Sequence, residues 1–373
     1  MHKKIAILYI IWFVALMAVG FFSLHFSTYA GTGTKMCQVK GYPPYFRWDS
    51  AWYMEISRKG YDFSAVKNSS IAYFPLFPLA IKAVHSLNVM PLSDLSFFLN
   101  IIFSFLATLV IYKLARIDYA ERESFFITSF WLLFPSSYFL ITGYPDALFA
   151  LLVALSLYFG RKQKWLLAGL VAGLLALTKP YGFLMMPVLL VEYMIDNNWN
   201  WKILWKKFDW LPLLLPLASV LAFMAFNYAK FKQPLAFLIA QRTWGRAFGN
   251  PLVSLWAEAR DNFLTSGGIL VGGHAPYLWY LFSFLFFITA LILSWEKQVR
   301  KTYLLFSVLV MLTAFMSGTL TSWGRYMFLA FPVFIGPALY LSKRKYAAII
   351  YFVFSSAALL IFASLFVRCY PFE

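Results

Sequence analysis

Apolar runs long enough to cross a lipid bilayer recur from Ile5 to Phe366, and most connections between them are short and basic. A hydrocarbon core of about 30 Å needs roughly 20 apolar residues per helical crossing. Backbone polar groups in lipid must be satisfied within the segment, so such runs specify helices, and their length excludes a closed barrel. The chain of 373 residues is 62% hydrophobic and 13% charged, with a mean hydropathy of +0.70, far from soluble composition. The expected fold class is an all-α polytopic membrane protein, with residues 1–373 forming a single integral membrane domain.

The net charge of +17 arises from 32 Lys and Arg against 15 Asp and Glu. In a soluble chain that excess would suggest nucleic acid. Here the basic residues cluster between apolar runs, which is a topology signal, so the expected partners are membrane lipids and not a polynucleotide. Lys113/Arg116/Arg122, Arg161/Lys162/Lys164, Lys202/Lys206/Lys207, Lys297/Arg300/Lys301 and Lys343/Arg344/Lys345 can all be cytoplasmic together. Eleven crossings satisfy this, at about 5–23, 95–114, 124–142, 146–160, 164–178, 181–196, 208–229, 276–295, 301–318, 325–341 and 345–366.

His2, Lys3 and Lys4 before the first run mark an uncleaved anchor entering from the cytoplasm, with cleavage near Ala30 as the competing reading. The apolar segment from Phe74 to Met90 would invert every later cluster if it crossed. Pro75, Pro78 and Lys82 fit a re-entrant or juxtamembrane segment instead, against a second short crossing. Loops at about 24–73 and 230–275 then lie on the exoplasmic face. The expected location is multi-pass, in the cell membrane of a prokaryote or the endoplasmic reticulum of a eukaryote, with the site exoplasmic.

On this topology Arg47, Asp49, Asp146, Lys179, Gln241, Arg242, Arg246 and Arg325 all fall near span ends on one face. Charges at membrane depth are costly and are paired or functional there, so their convergence argues for one site, against the simpler reading that each snorkels to headgroups. Asp49 stands in Arg47-Trp48-Asp49-Ser50-Ala51-Trp52-Tyr53, beside an arginine and among aromatics able to form an apolar wall. An ionised carboxylate so placed can act as general base toward a hydroxyl; a clamp that pins the loop fits the same spacing. Asp146, in Gly143-Tyr144-Pro145-Asp146, either caps a helix start or helps position an acceptor hydroxyl.

Lys179, Arg246 and Arg325 offer cations suited to a phosphate, the arginines as bidentate forks and the lysine as a point charge. Trp244 beside them suits either a sugar-stacking ring or an interfacial aromatic belt. Glu55, Asp62 and Asp94 read as solvated acids. Neither they nor the scattered histidines and two cysteines have metal-site spacing, so no divalent metal or other cofactor is expected. Cys37 and Cys369 both fall on the exoplasmic side, where a disulfide between them could persist. No Gly-rich phosphate loop follows a strand, and no Ser/His/Asp order stands out. A sugar-transfer enzyme without a nucleotide-binding fold takes its sugar from a donor that reaches the membrane face, such as a polyprenyl-phosphate sugar.

Six blocks stand in order: RWDSAWYMEISRKGY from Arg47, YFPLFPL from Tyr73, LFPSSYFLITGYPDALFALL from Leu133, GLLALTKPYG from Gly173, PLAFLIAQRTWGR from Pro234 and SWGRYMFLAFPVF from Ser322. On these the chain resembles, over nearly its whole length, the PIG-V family of mannosyltransferases. The resemblance implies a C-type glycosyltransferase bundle of about 11 to 12 transmembrane helices with a large first exoplasmic loop. It implies that Asp49, the acid of that loop, is the catalytic base, and that the donor is polyprenyl-phosphate mannose. The candidate substrate-binding set is Arg47, Trp52, Tyr53, Asp146, Lys179, Gln241, Trp244, Arg246 and Arg325. The family usually carries Glu at the position of Asp146 and Arg at that of Lys179, swaps that keep charge but change reach.

The expected function is transfer of mannose, with inversion, to a hydroxyl of a glycolipid or other exoplasmic glycan acceptor. The rivals are a flippase or transporter of lipid-linked saccharides, and a transferase for another sugar such as glucose or an aminosugar. A transporter would show internal repeats and polar residues near mid-membrane, and neither stands out.

Overall fold

The computed structural model describes residues 2–25, 42–246, 248–250, 253, 256, 260, 275–319 and 322–370. Among these the regular structure is helical, with no strand. In chain order the helices are α1 (His2–His25), α2 (Ser50–Lys59), α3 (Leu76–His85), α4 (Leu92–Asp118), α5 (Glu121–Leu132), α6 (Asp146–Arg161), α7 (Trp165–Ala176) and α8 (Met185–Asp196). They continue as α9 (Ile203–Lys206), α10 (Leu215–Phe231), α11 (Ala236–Arg242), α12 (Ala275–Glu296), α13 (Lys301–Phe315), α14 (Trp323–Leu329), α15 (Ile335–Ser342) and α16 (Lys345–Val367).

Among the described residues, five helical stretches are long and apolar enough to cross a membrane: Lys3–His25, Leu92–Asp118, Leu211–Phe231, Trp279–Glu296 and Lys345–Val367. Ile10, Ile11, Leu221, Ile292 and Phe354 are exposed on them, as expected where the surrounding solvent is hydrocarbon. Two expected crossings are bent. The helix Glu121–Leu132 turns by 79° into a 3-10 segment at Pro135–Ile141, and Trp323–Leu329 turns by 81° into Phe331–Ser342. Pro135 and Pro332 sit at these bends, where a residue without an amide hydrogen starts a new helix more readily than it continues the old one. Counting each bent pair as one span gives seven such stretches among the described residues.

The other expected crossings are shorter helices: α6 has 16 residues, α7 and α8 have 12 each, and α13 has 15. The 74–90 segment holds the 10-residue α3, about 15 Å long, half of a hydrocarbon core of about 30 Å. Length fails as a guide here because α6 is a core helix rather than a lipid-facing one. Twelve of its 16 residues are buried, and it packs against α4, α7 and α8. A helix apolar on all sides suits protein as well as lipid.

α6 also sets the polarity of the molecule. Asp146 stands at its first residue and Arg161 at its last, about 22 Å apart along the axis. Around Arg161 an ion network joins α4, α6, α8 and α13. Arg161 Nη2 bonds Asp118 Oδ1 at 2.7 Å, Arg300 Nε bonds Glu192 Oε2 at 2.9 Å, Arg300 Nη2 bonds Asp196 at 3.1 Å, and the Thr302 hydroxyl bonds Glu192 at 2.6 Å. Around Asp146, at the other end, lies the cavity described next. Of the first expected exoplasmic loop, residues 26–41 lie outside the described residues, and so does Cys37, the proposed partner of the buried Cys369.

Candidate active site

The segment before α2 is fixed from behind. The buried Tyr45 hydroxyl donates to the Leu16 carbonyl at 2.7 Å; Arg47 donates from Nε to Val367 O at 3.1 Å and from Nη1 to Phe46 O at 2.8 Å. Trp48 then takes φ +49°, a left-handed conformation uncommon for a bulky residue, and the chain reverses. Arg47 is thereby turned into the protein and Asp49 toward the cavity, although the two are separated by one residue.

Asp49 occupies the N-cap position of α2, yet its side chain makes no cap bond. Its Oδ1 instead accepts from the Tyr73 hydroxyl at 2.9 Å, and its Oδ2 lies 3.9 Å from Arg325 Nη1. The side chain is 27% exposed, reachable by a ligand. Its backbone amide donates to the Tyr144 hydroxyl at 3.3 Å. Close approach of the two segments depends on Gly143, where a Cβ would stand 2.6 Å from both Cβ and Oγ of Ser50. Asn100 on α4 holds the same turn from below, donating to the carbonyls of Thr142 and, at 2.7 Å, Tyr144.

Asp146 is wholly buried and doubly engaged. Arg325 grips it bidentately, Nε to Oδ1 at 2.9 Å and Nη2 to Oδ2 at 2.7 Å, while Lys179 Nζ bonds Oδ1 at 2.9 Å. The Arg325 guanidinium also lies over the Tyr144 ring at 4.4 Å and the Phe139 ring at 5.1 Å. Its fork is thus committed to Asp146, leaving Nη1 as the nitrogen nearest Asp49. Lys179, Asp146, Arg325 and Asp49 form a chain of alternating charge from the turn after α7 to the start of α2.

Burial and the Arg325 guanidinium pull Lys179 down to about 7, against the opposing pull of Asp146. In the unfolded chain the same amine keeps its proton to about 10.5. Between these values the unfolded state binds more protons, so the contribution of Lys179 to stability is least favourable below pH 7 and rises as the pH climbs toward 10.5. Thermal unfolding of Lys179→Met should lose that upward slope relative to the parent.

Asp49, Lys179, Arg325, Trp48, Trp52, Tyr53 and Tyr73 all line one cavity of about 1210 Å³. Three regions are distinct. An aromatic group flanks Asp49, with Trp52 stacked on Tyr73 at 5.8 Å and Trp244 edge-on to both, at 5.5 and 5.9 Å. A basic rim follows, formed by Arg242 and Arg246, the latter donating to the Tyr326 hydroxyl and lying 5.5 Å over its ring. An apolar flank is contributed by Leu238 and Ile239 of α11 and Leu309 and Leu312 of α13, with Leu238 and Leu312 open to the outside.

Of the residues expected from sequence, Asp49, Trp52, Tyr53, Lys179, Gln241, Trp244, Arg246 and Arg325 share this cavity. Gln241 donates to the Ala72 carbonyl at 3.0 Å, tying α11 to the segment before α3. Arg47 and Asp146 are not part of the cavity lining: Arg47 anchors the loop and Asp146 is covered by its own partners. Glu55 pairs with Lys59 at 2.6 Å on the exposed face of α2, and Asp62 accepts from the Ser70 amide at 3.0 Å. No cluster of three or more His, Cys, Asp or Glu occurs among the described residues.

Tyr73, Tyr144, Asn100 and Tyr326 were not singled out by sequence. Tyr73, Tyr144 and Tyr326 do stand inside the six blocks, but nothing in their spacing marks a hydroxyl that meets Asp49 or Arg246. Tyr73→Phe removes the donor to Oδ1 and keeps the ring. A bond to a charged group is worth about 1.5–3 kcal/mol where it is buried and less at a partly exposed carboxylate, so the variant should melt below the parent by up to about 1.5 kcal/mol of stability. Thermal unfolding of the purified variant beside the parent reads this.

A family model described as dolichyl-phosphate-mannose-protein mannosyltransferase matches residues 74–228, from just before α3 into α10. No curated protein matches the chain in sequence. Among solved structures, ArnT from Cupriavidus metallidurans bound to undecaprenyl phosphate is similar over 97% of this chain and 74% of its own, at 14% identity and a TM-score of 0.57. The Archaeoglobus fulgidus oligosaccharyltransferase in its apo form is similar over 96% of this chain at 14% identity and a TM-score of 0.46. The chain spans 55% of that protein's length. The likeness to ArnT shows that the fold is that of the C-type glycosyltransferases.

Proposed function

We propose that the protein is a membrane glycosyltransferase that transfers a hexose, with inversion, from a polyprenyl-phosphate donor to a hydroxyl, and that Asp49 is its general base. The observation that carries this reading is the Asp49 carboxylate: uncapped, held by Tyr73 and facing Arg325, at the wall of a cavity with a basic rim and an apolar flank. Asp49 takes the acceptor hydroxyl proton as that oxygen bonds to the anomeric carbon. The bond from the anomeric carbon to phosphate oxygen breaks, and polyprenyl phosphate leaves. Arg246 and Arg242 receive the phosphate, because the Arg325 fork is already closed on Asp146. The prenyl chain lies along Leu238, Ile239, Leu309 and Leu312.

Mannose is the sugar favoured by the matched family model and by the six PIG-V-like blocks. The undecaprenyl phosphate bound to ArnT supports a lipid-phosphate carrier. The test uses purified protein in proteoliposomes with radiolabelled polyprenyl-phosphate mannose and a glycolipid extract as acceptor. Label is expected in a new glycolipid, with the anomeric configuration opposite to that of the donor. Movement of intact donor across the bilayer without product would identify a transporter instead, and retained configuration would rule out single displacement by one base.

A further inference from the structure

At the end of the molecule opposite Asp49, the connection from α8 to the stretch Leu211–Phe231 forms a compact hairpin with an unusual surface. α8 closes in a Schellman-like turn, Trp199 N–H to Met194 O at 2.8 Å, and both Asn198 and Trp199 take positive φ, +52° and +56°. A tryptophan in the left-handed region is strained. Here that conformation accompanies a ring that is half outside: Trp199 is 52% exposed. Trp201, Trp205 and Phe208 follow at 63%, 82% and 62% exposure. Ile203 and Leu204 pack inward against the core and Trp210 Nε1 bonds Leu204 O at 3.0 Å, so the hairpin is held in place while its large rings face out.

Lys202, Lys206 and Lys207 are exposed among these rings. The one acid of the hairpin, Asp209, accepts from the Tyr193 hydroxyl at 2.7 Å, which fixes it against α8. Two observations set the depth. The apolar stretch that can cross the membrane begins at Leu211, the second residue after Asp209, and the Arg161–Glu192–Arg300 network lies at the same end of α8. The hairpin therefore sits where hydrocarbon gives way to headgroups. Indole rings favour that boundary, and three lysines there favour phosphate of negative net charge.

We propose that residues 199–208 form a binding surface for anionic glycerophospholipids in the leaflet opposite the catalytic cavity. The rings of Trp199, Trp201, Trp205 and Phe208 enter the interface, and Lys202, Lys206 and Lys207 contact headgroup phosphates. The surface recognises lipid charge as well as providing an apolar belt. It is independent of the sugar-transfer reading, since it involves none of the cavity residues.

The test places a fluorophore on an Asn200→Cys variant of the full chain, whose described residues offer no free thiol, in liposomes of phosphatidylcholine and phosphatidylglycerol. Either phosphatidylglycerol or phosphatidylcholine carries a doxyl quencher high on its acyl chain. Quenching by labelled phosphatidylglycerol should exceed that by labelled phosphatidylcholine. Combining Lys202→Gln, Lys206→Gln and Lys207→Gln should lower that ratio by roughly threefold or more, and high salt should lower it in the parent. Equal quenching by the two lipids would overturn the proposal, leaving an unselective belt. So would a ratio unchanged in the triple variant, and so would absence of quenching by either lipid, which would make the hairpin a surface for a soluble partner.

Discussion

Asp146→Asn is expected to destabilise the protein by roughly 3–5 kcal/mol, the cost of removing one partner from a buried charge cluster. The size follows from which neighbour can adapt. Lys179, already pulled down to about 7, sheds its proton when Asp146 no longer holds it. Arg325 cannot, because a guanidinium stays charged, and it loses the bidentate grip on Asp146 while remaining buried. Asp49, at 3.9 Å, is farther away than a hydrogen bond reaches. Asp146→Asn combined with Arg325→Gln should therefore unfold at a higher temperature than Asp146→Asn alone, because the stranded charge is gone. Thermal unfolding of the three proteins in nanodiscs checks this. A single variant that melts with the parent would mean the cluster contributes little to the fold.

The fold class was legible because hydropathy and charge act locally: a run of apolar residues is a helix in lipid whatever its neighbours do. The number of crossings was less so. α6, α7, α8 and α13 find their apolar surroundings partly in other helices, so they need not be as long as the bilayer is thick. Pro135 and Pro332 were visible in the sequence, yet each lies inside a continuous apolar run, and only the bends of 79° and 81° show that these runs are broken.

The site divides in the same way. Asp49 was legible as a residue of the cavity because an acid among aromatics beside a membrane stands out, although its spacing fits a loop clamp as well. Its true partners were not, since Tyr73 is 24 residues away and Arg325 is brought in by α14 from the far end of the chain. Arg47, the cation nearest in sequence, was expected to serve the site and instead anchors the loop to Val367, because the reversal at Trp48 points the two side chains apart. Asp146 was expected near an acceptor hydroxyl and stands behind the cavity, positioning Arg325 and Lys179. Neither relation has a sequence period to betray it.

The second large effect concerns chemistry rather than stability. Asp49 is partly exposed, makes no cap bond and is not the buried member of the charge chain, so Asp49→Asn should fold as the parent does. An amide of the same shape can still accept from Tyr73 but cannot take up a proton from the acceptor. General base catalysis contributes roughly 100- to 10,000-fold, and that is the expected loss in transfer rate. Donor affinity should change little, because the phosphate is assigned to Arg246 and Arg242.

Single-turnover transfer from radiolabelled polyprenyl-phosphate mannose, with Asp49→Asn and parent protein in matched proteoliposomes and donor binding measured on the same samples, tests this most directly. The expected result is equal donor binding with transfer slowed at least roughly 100-fold in the variant. Transfer by Asp49→Asn at the parent rate would contradict Asp49 as the base.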